Sequence, residues 1–390
     1  MNRTKVLIVC GAGIVSGKEI MSLELARGLK SSGLDVHVLT STWGDQTFFS
    51  KLEEAGLPFD KLPLGFISAT LTLQTMGWTY GQLERWPDLL SGYMSLLQTF
   101  QPDRIIHTNW HHLLVLFPFL TPSRDLFWVH EVMPNKRQYR IFFQALNRRL
   151  QCFVPVSYAV SEALKRIGIS DHKMQVIYNG LNDLALGAQP ATKPDDTVRL
   201  GIVGQVNSWK GHADLLEAFG QIGVRWPNTE LHIFGQGSEA YSRQLKQQST
   251  DLGIADQIKW HGYVNDRAAI FQGIDLLVTP SRFEEPFGLI AVEAGLFALP
   301  MVATRQGGLS EIIEDGITGI LVPSNDPTAL AEGIQRLLAD PDLRLSMGIK
   351  ARQRMLERFS NERFINDFLS LLGGQAMDKG ELKQPCALLA

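Results

Sequence analysis

The chain has 390 residues, 45% hydrophobic and 20% charged, so it is globular rather than disordered and too long for one ordinary core; two domains are expected. A net charge of -3 supplies no general field for nucleic acid or an anionic membrane. The three cysteines (Cys10, Cys152, Cys386) are too scattered for a disulfide framework, which suits a reducing, cytoplasmic compartment.

Arg3 and Lys5 ahead of an apolar run imitate a secretion signal. Glycines interrupt that run and a helical pattern follows, so VLIVC from Val6 reads as a buried first strand. Further strands are expected at VHVLTS from Val36, RIIHTNW from Arg104, LFWVH from Leu126, CFVPVS from Cys152 and QVIYNG from Gln175. No apolar stretch reaches membrane-spanning length, and Cys386 does not stand in a prenylation box. Residues 185–198, rich in Pro, Ala and Asp, read as an interdomain linker. The alternation then restarts with RLGIVG from Arg199, ELHIFG from Glu230, IKWHGYV from Ile258, LLVTPS from Leu276, PMVATR from Pro300 and GILVPS from Gly319. Strands apolar throughout and separated by helices imply parallel sheets covered on both faces. The expected architecture is α/β, with Rossmann-like doubly wound domains over 1–184 and 199–355. A helical stretch, 341–372, closes the chain; its last part, 356–372, is expected to pack back on the first domain, ahead of a flexible tail from 373. Ligands should bind at the carboxyl ends of the strands.

The first such end carries CGAGIVSGKEI from Cys10, a near-match to two nucleotide loops. Its glycine spacing is one residue too long for a dinucleotide fingerprint, and VHVLTSTW offers no acidic residue for a ribose. As a phosphate loop it puts Glu19 where a Mg-binding hydroxyl belongs. HTNWHH contains His107, His111 and His112, which suit an acceptor or a metal, but no Cys or carboxylate joins them at ligand spacing. LFWVHEV places His130 at a strand end. NKRQYRIFFQALNRRLQCF from Asn135 is basic on one side and apolar on the other, as suits either an anionic membrane surface or a covering helix with a solvated face. Aromatics in TLTLQTMGWTYGQLERW from Thr70 suit sugar stacking or a core.

In the second half, GQVNSWKGH puts Lys210 between a strand and a helix, where a cation can neutralise a leaving diphosphate. FGQG, with Gly235 and Gly237, and HGYV, with Tyr263 and Val264, are strand-end turns suited to a nucleobase. In SRFEEPFGLIAVEAGLFALP, Pro286 is expected to start a helix running 287–298, whose first N–H groups, on Phe287, Gly288 and Leu289, favour an anion. Glu285 lies before that helix and Glu293 two turns inside it. A carboxylate there can hold both ribose hydroxyls, although a solvated amphipathic helix gives the same pattern.

Together, in this order, these stretches resemble the retaining glycosyltransferases of the two-Rossmann-domain (GT-B) type, family 4, over roughly residues 5–370. EPFGLIAVEA matches the family's E-x7-E motif; Asn179-Gly180, Val156-Ser157 and GGLSEII from Gly307 resemble further landmarks. The resemblance implies Glu285, Lys210 and His130 as the catalytic set, and a donor site of Gly17, Gln205, Lys210, Gly235, Gly237, Tyr263, Val264, Glu285, Phe287, Gly288, Leu289 and Glu293. Gln205 departs from the family's usual Arg, so Arg282 is a candidate substitute cation. Ser16-Gly17-Lys18-Glu19 resembles the family's small-residue loop facing the donor phosphates. The implied reaction moves a sugar from a UDP- or GDP-linked donor to a carbohydrate or lipid-linked hydroxyl with retention, in cell-surface polysaccharide or glycolipid synthesis, without metal or other cofactor. No nucleic acid partner is implied, and any membrane contact is peripheral, at the inner face. A sugar-nucleotide epimerase or phosphorylase, or a non-catalytic sugar-nucleotide-binding subunit, is the alternative.

Overall fold

The computed structural model describes residues 3–11, 15–44, 47–65, 79–82, 84–186, 196–223 and 225–373. Most of the aromatic segment 70–86, most of the linker and the tail from 374 lie outside the described residues.

The first sheet contains β1 (Lys5–Val9), β2 (Asp35–Ser41), β3 (Phe59–Leu62), β4 (Arg104–His107), β5 (Asp125–Val129) and β6 (Cys152–Pro155). The second contains β7 (Val198–Val203), β8 (Thr229–Phe234), β9 (Ile258–Gly262), β10 (Leu276–Thr279), β11 (Met301–Thr304) and β12 (Gly319–Val322). Both sheets are six-stranded, in the orders β3-β2-β1-β4-β5-β6 and β12-β11-β10-β7-β8-β9. Every pairing is parallel. The second order is the first run backwards, so each sheet reverses direction beside its own first strand. A crevice opens at that reversal, at the carboxyl ends of the strands. This is the two-domain GT-B plan.

One strand expectation fails, and one strand is unexpected. QVIYNG forms no strand; only Met174 bridges to Phe153. Gln175 and Ile177 do donate to β6 carbonyls, at 3.0 and 3.1 Å. Pro155 in β6 has no N–H to return, so the ladder stops. β3 goes unread in the sequence because its FDKL carries two exposed charges, as edge strands often do. The expected helix 341–372 is two helices, Pro341–Arg358 and Asn361–Leu372. Between them Phe359 turns inward, 1% exposed, with its ring against Tyr178 and Phe287. Ser360 then caps the second helix through Arg363 N at 3.4 Å.

That last helix lies on the first domain. A Cβ on Gly28 of helix Gly17–Ser31 would meet Ile365 at 2.2 Å, so the glycine lets the two helices approach closely. Phe364 and Phe368 pack their rings on Trp128 of β5, at 5.6 and 5.1 Å. One apolar cluster consequently runs through both domains, from Val6 to Leu296 and Phe368.

Polar contacts fix how the domains face each other. Ser157, the N-cap of helix Tyr158–Arg166, donates to Pro286 O at 2.6 Å. The next amides, Tyr158 N and Ala159 N, donate to the Glu311 carboxylate of the other domain at 2.9 and 2.7 Å. A carboxylate at a helix start satisfies donors that lack intrahelical partners and meets the positive end of the dipole. Burial pushes the Glu311 pKa up, and the two amide bonds offset it. Arg352 adds a forked pair with Asp183, at 2.6 and 3.0 Å.

Glu311→Ala is expected to lower stability by about 2 kcal/mol, since it strands two amides. Small-angle scattering should show a larger radius for this variant. Glu311→Gln keeps one acceptor and should lose less. Unchanged unfolding temperature and radius would show that the clasp contributes nothing.

Candidate active site

A cavity of about 1200 Å³ separates the carboxyl ends of the two sheets. On the second-domain side its wall includes Gln205 and Lys210 after β7, Gln236 after β8, Tyr263, Asn265 and Arg267 after β9, and residues 285–290 with Glu293 after β10. On the first-domain side it includes Ser16, Gly17 and Lys18 after β1 and His130 after β5.

Lys210 ends a short turn, Ser208–Lys210, capped by Asn207, whose side chain accepts from Lys210 N at 3.2 Å. Gly211 must follow, because a Cβ there would lie 1.8 Å from Pro280 O. The ammonium sits 4.2 Å from the Trp209 ring centroid and is ion-paired with Glu285. Glu285, 7% exposed, also accepts from Ser281 Oγ at 2.6 Å. The two proposed catalytic charges of this wall therefore neutralise each other.

The helix after Glu285 begins later than expected, at Leu289, and runs Leu289–Leu296. Gly288 holds φ at 108°, outside the helical range, and Phe287 buries its ring beside Tyr178 and Phe359. The amides at the helix start are those of Leu289 and Ile290; Ala291 N already donates to Gly288 O at 2.9 Å. Across the cleft, helix Gly17–Ser31 also starts at the cavity. A Cβ on Gly17 would come within 3.0 Å of Leu289 Cδ1, so the two helix starts meet there.

Glu19 is explained by the same helix start. Its carboxylate accepts from Ser16 N at 3.2 Å and from Ser16 Oγ, and the residue is 2% exposed. It closes a capping box and is not on the cavity wall.

Glu293 is 8% exposed, and its Oε2 is buried without a hydrogen-bond partner. Burial pushes its pKa up; Arg267, with Nε 3.5 Å from Oε2, offsets part of that. Sequence reasoning does not single out Arg267; its only signal is its place just beyond the HGYV turn. The suggested Arg282 is instead committed to Asp214, which it grips at 2.7 and 2.5 Å, and it is not on the cavity wall. Gln205 is on the wall, with its side-chain oxygen accepting from Asn207 at 3.1 Å.

Gly235, Gly237 and Val264 are not on the wall. A Cβ on Gly235 would lie 1.8 Å from Gly204 O, and one on Gly237 1.9 Å from Val206 O. These glycines serve contact between neighbouring loops; Gln236 between them reaches the cavity. Val264 packs on the apolar core, whereas Tyr263 is 68% exposed.

His130 packs its ring 4.2 Å from Trp128, and its Nε2 is buried without a partner. Burial first, and Lys18 second, hold its pKa well below the usual histidine value, so the imidazole is neutral. His107 belongs elsewhere: it is fully buried, 2.8 Å from Asp125, itself fully buried. His112 is also buried, and neither it nor His111 lies on the cavity wall.

Residues 188–354 match the family of glycosyl transferases group 1, and residues 15–183 match Glycosyltransferase Family 4. A D-inositol 3-phosphate glycosyltransferase of Corynebacterium kroppenstedtii is 34% identical over 168 residues, 41% of this chain and 37% of that protein. The lipopolysaccharide core biosynthesis glycosyltransferase LpsE of Rhizobium meliloti is 26% identical over 231 residues, 58% of this chain and 66% of that one. The matched stretches thus span less than two thirds of these relatives. Among solved structures, Anabaena HepE in complex with UDP and glucose superposes with a TM-score of 0.76 at 21% identity, covering 95% of this chain and 100% of that one. A glycosyltransferase from Rickettsia africae gives 0.80 at 20% identity, with 96% and 100% covered. At such identities the likeness is one of fold.

Gly235→Ala meets backbone at a strained φ of 142° and is expected to cost about 2 kcal/mol or more. Gly17→Ala meets only the end of a leucine side chain and should stay within about 0.5 kcal/mol of wild type. Thermal unfolding of both variants checks this contrast; equal losses would contradict it.

Proposed function

Because the chain belongs to the group 1 glycosyltransferases of family 4, we propose that it moves a sugar from a nucleoside-diphosphate sugar to a hydroxyl of a carbohydrate or lipid-linked acceptor, with retention of anomeric configuration. The observation that carries this reading is Glu293: a buried carboxylate on the cavity wall with an unpartnered oxygen. A buried acceptor of this kind is costly unless a ligand supplies donors. The vicinal hydroxyls of a ribose supply two.

In the proposed reaction the barrier is departure of the diphosphate from an oxocarbenium-like sugar. Lys210 exchanges its pairing with Glu285 for the departing charge, and Glu285 turns to the hydroxyls of the transferred sugar. The amides of Leu289 and Ile290, and the helix start at Gly17 opposite, face the same charge. Neutral His130, on the other wall, offers the sugar a hydrogen bond without adding charge. The acceptor hydroxyl attacks from the face the diphosphate leaves. Lys210 and the helix starts supply the charge stabilisation a metal would give, so the proposed reaction is metal-independent. Closure of the two domains excludes water. A relative named for lipopolysaccharide core biosynthesis and a neighbour bound to UDP favour a surface-glycan acceptor and a uridine donor. We place the enzyme in the cytoplasm, meeting lipid-linked acceptors at the inner membrane face; among the described residues no helix is long and apolar enough to cross a membrane.

Thermal unfolding with UDP, GDP, ADP and NAD in turn, each without metal, tests the reading. One nucleoside diphosphate should stabilise the protein by roughly 2.7 kcal/mol at a hundred times its Kd, and Glu293→Ala should abolish the effect. Stabilisation by NAD alone would refute the donor site. With the donor identified, Lys210→Ala should lower kcat by about a hundredfold or more. NMR of the product should show the anomeric configuration of the donor; an inverted product would refute the stereochemistry.

A further inference from the structure

The donor wall carries two buried carboxylates, and each faces one cation. Glu285 has Lys210, from the family's motif. Glu293 has Arg267, which belongs to no motif recognised in the sequence. Arg267 opens helix Arg267–Gln272 behind the N-cap Asp266, whose carboxylate accepts from Ala269 N at 3.0 Å. This local cap fixes the direction in which the arginine leaves the β9 loop. Its side chain is 40% exposed and lines the cavity, whereas that of Glu293 is 11% exposed. The 3.5 Å separation of Nε and Oε2 is too long for a hydrogen bond and short enough for strong attraction of charges. Arg267 thus opposes protonation of the carboxylate while leaving its oxygens available.

We infer that Arg267 is a positioning residue of the donor site, keeping the Glu293 carboxylate ionised and aimed so that both oxygens accept from the ribose hydroxyls. This rests on the donor-site reading of Glu293. A protonated carboxyl would turn one of its two acceptors into a donor and match a diol poorly. Burial favours that protonated form, and a neighbouring cation opposes it. The other charges around Glu293 are already engaged. Lys210 and Glu285 pair with each other, and Arg352, which reaches Leu296 O at the far end of the Glu293 helix, is bound to Asp183.

The test is calorimetric titration of the full chain with UDP, GDP and ADP from acid to mildly alkaline pH. It compares wild type, Arg267→Ala, Arg267→Lys, Glu293→Gln and the Arg267→Ala/Glu293→Gln pair. The carboxylate is needed in its ionised form, so affinity is present above its pKa and lost as pH falls through it. Removing Arg267 raises that pKa and moves the loss to higher pH. Arg267→Ala is expected to weaken binding about tenfold at neutral pH, increasingly so towards acid. Arg267→Lys should recover part of the loss, and in the Glu293→Gln background Arg267→Ala should add no pH-dependent loss. Titration of the ligand's own phosphate is common to all variants and cancels in the comparison. A wild-type pH profile in Arg267→Ala, or an equal loss in the Glu293→Gln background, overturns the inference and leaves the donor reading standing. Binding of none of the three nucleotides by the wild-type protein overturns both.

Discussion

One carboxylate at one helix start sets the geometry of the cleft. Glu311 of the second domain accepts the Tyr158 and Ala159 amides of the first, while Ser157 reaches back to Pro286. Pro286 is the neighbour of Glu285, so the contact that joins the domains is adjacent in the chain to a side chain of the cavity wall. The two walls belong to different sheets, and neither sheet alone could hold them in register. The distance from Gly17 to Leu289 follows from this join and from the shared apolar cluster beneath it. Directional bonds at the rim and non-directional burial below are complementary: the first select one arrangement, the second supplies most of the stabilisation.

Inside the cleft, the second-domain wall is a balance of charges. Two carboxylates taken mostly out of water would repel an anionic ligand and be costly to ionise. A cation stands against each, Lys210 against Glu285 and Arg267 against Glu293. The charge of each carboxylate is thus offset without the uptake of a proton. The opposite wall carries Lys18, Glu24, Lys51 and Glu131. His130 is kept neutral by burial and by Lys18, and Glu19 is absorbed into its own helix cap. This wall thus adds a helix start and the neutral His130 ring to its own charged side chains.

Much of this is legible along the chain. Eleven of the twelve strands of the two sheets stand out, because short, β-branched, mostly apolar runs between helices suit a covered parallel sheet. β3 escapes because its charges hide an edge strand. QVIYNG misleads because its composition is that of a strand, and the proline that denies it a ladder stands in a different strand. The E-x7-E spacing brings Glu285 and Glu293 to one wall, and Lys210 follows from its place between strand and helix. These are local facts: a strand end, a cap and a helical period each depend on residues a few positions apart.

Pairing across distance depends on the fold. From sequence, Arg282 is the candidate cation and Arg267 goes unnoticed; their partners Asp214 and Glu293 lie 68 and 26 positions away and are assigned only when the strands pack. The same holds for Gly235 and Gly237, whose glycine identity answers to carbonyls of another loop, and for Phe287, whose ring is claimed by the domain interface. Local periodicity and turn chemistry are enough to specify most of the strands, the doubly wound order of elements and which acidic and basic residues stand at strand ends. Packing in three dimensions chooses which charges neutralise each other and which carboxylate oxygen is left without a partner. Electrostatic energy and burial depend on distance in space, which a linear chain does not contain.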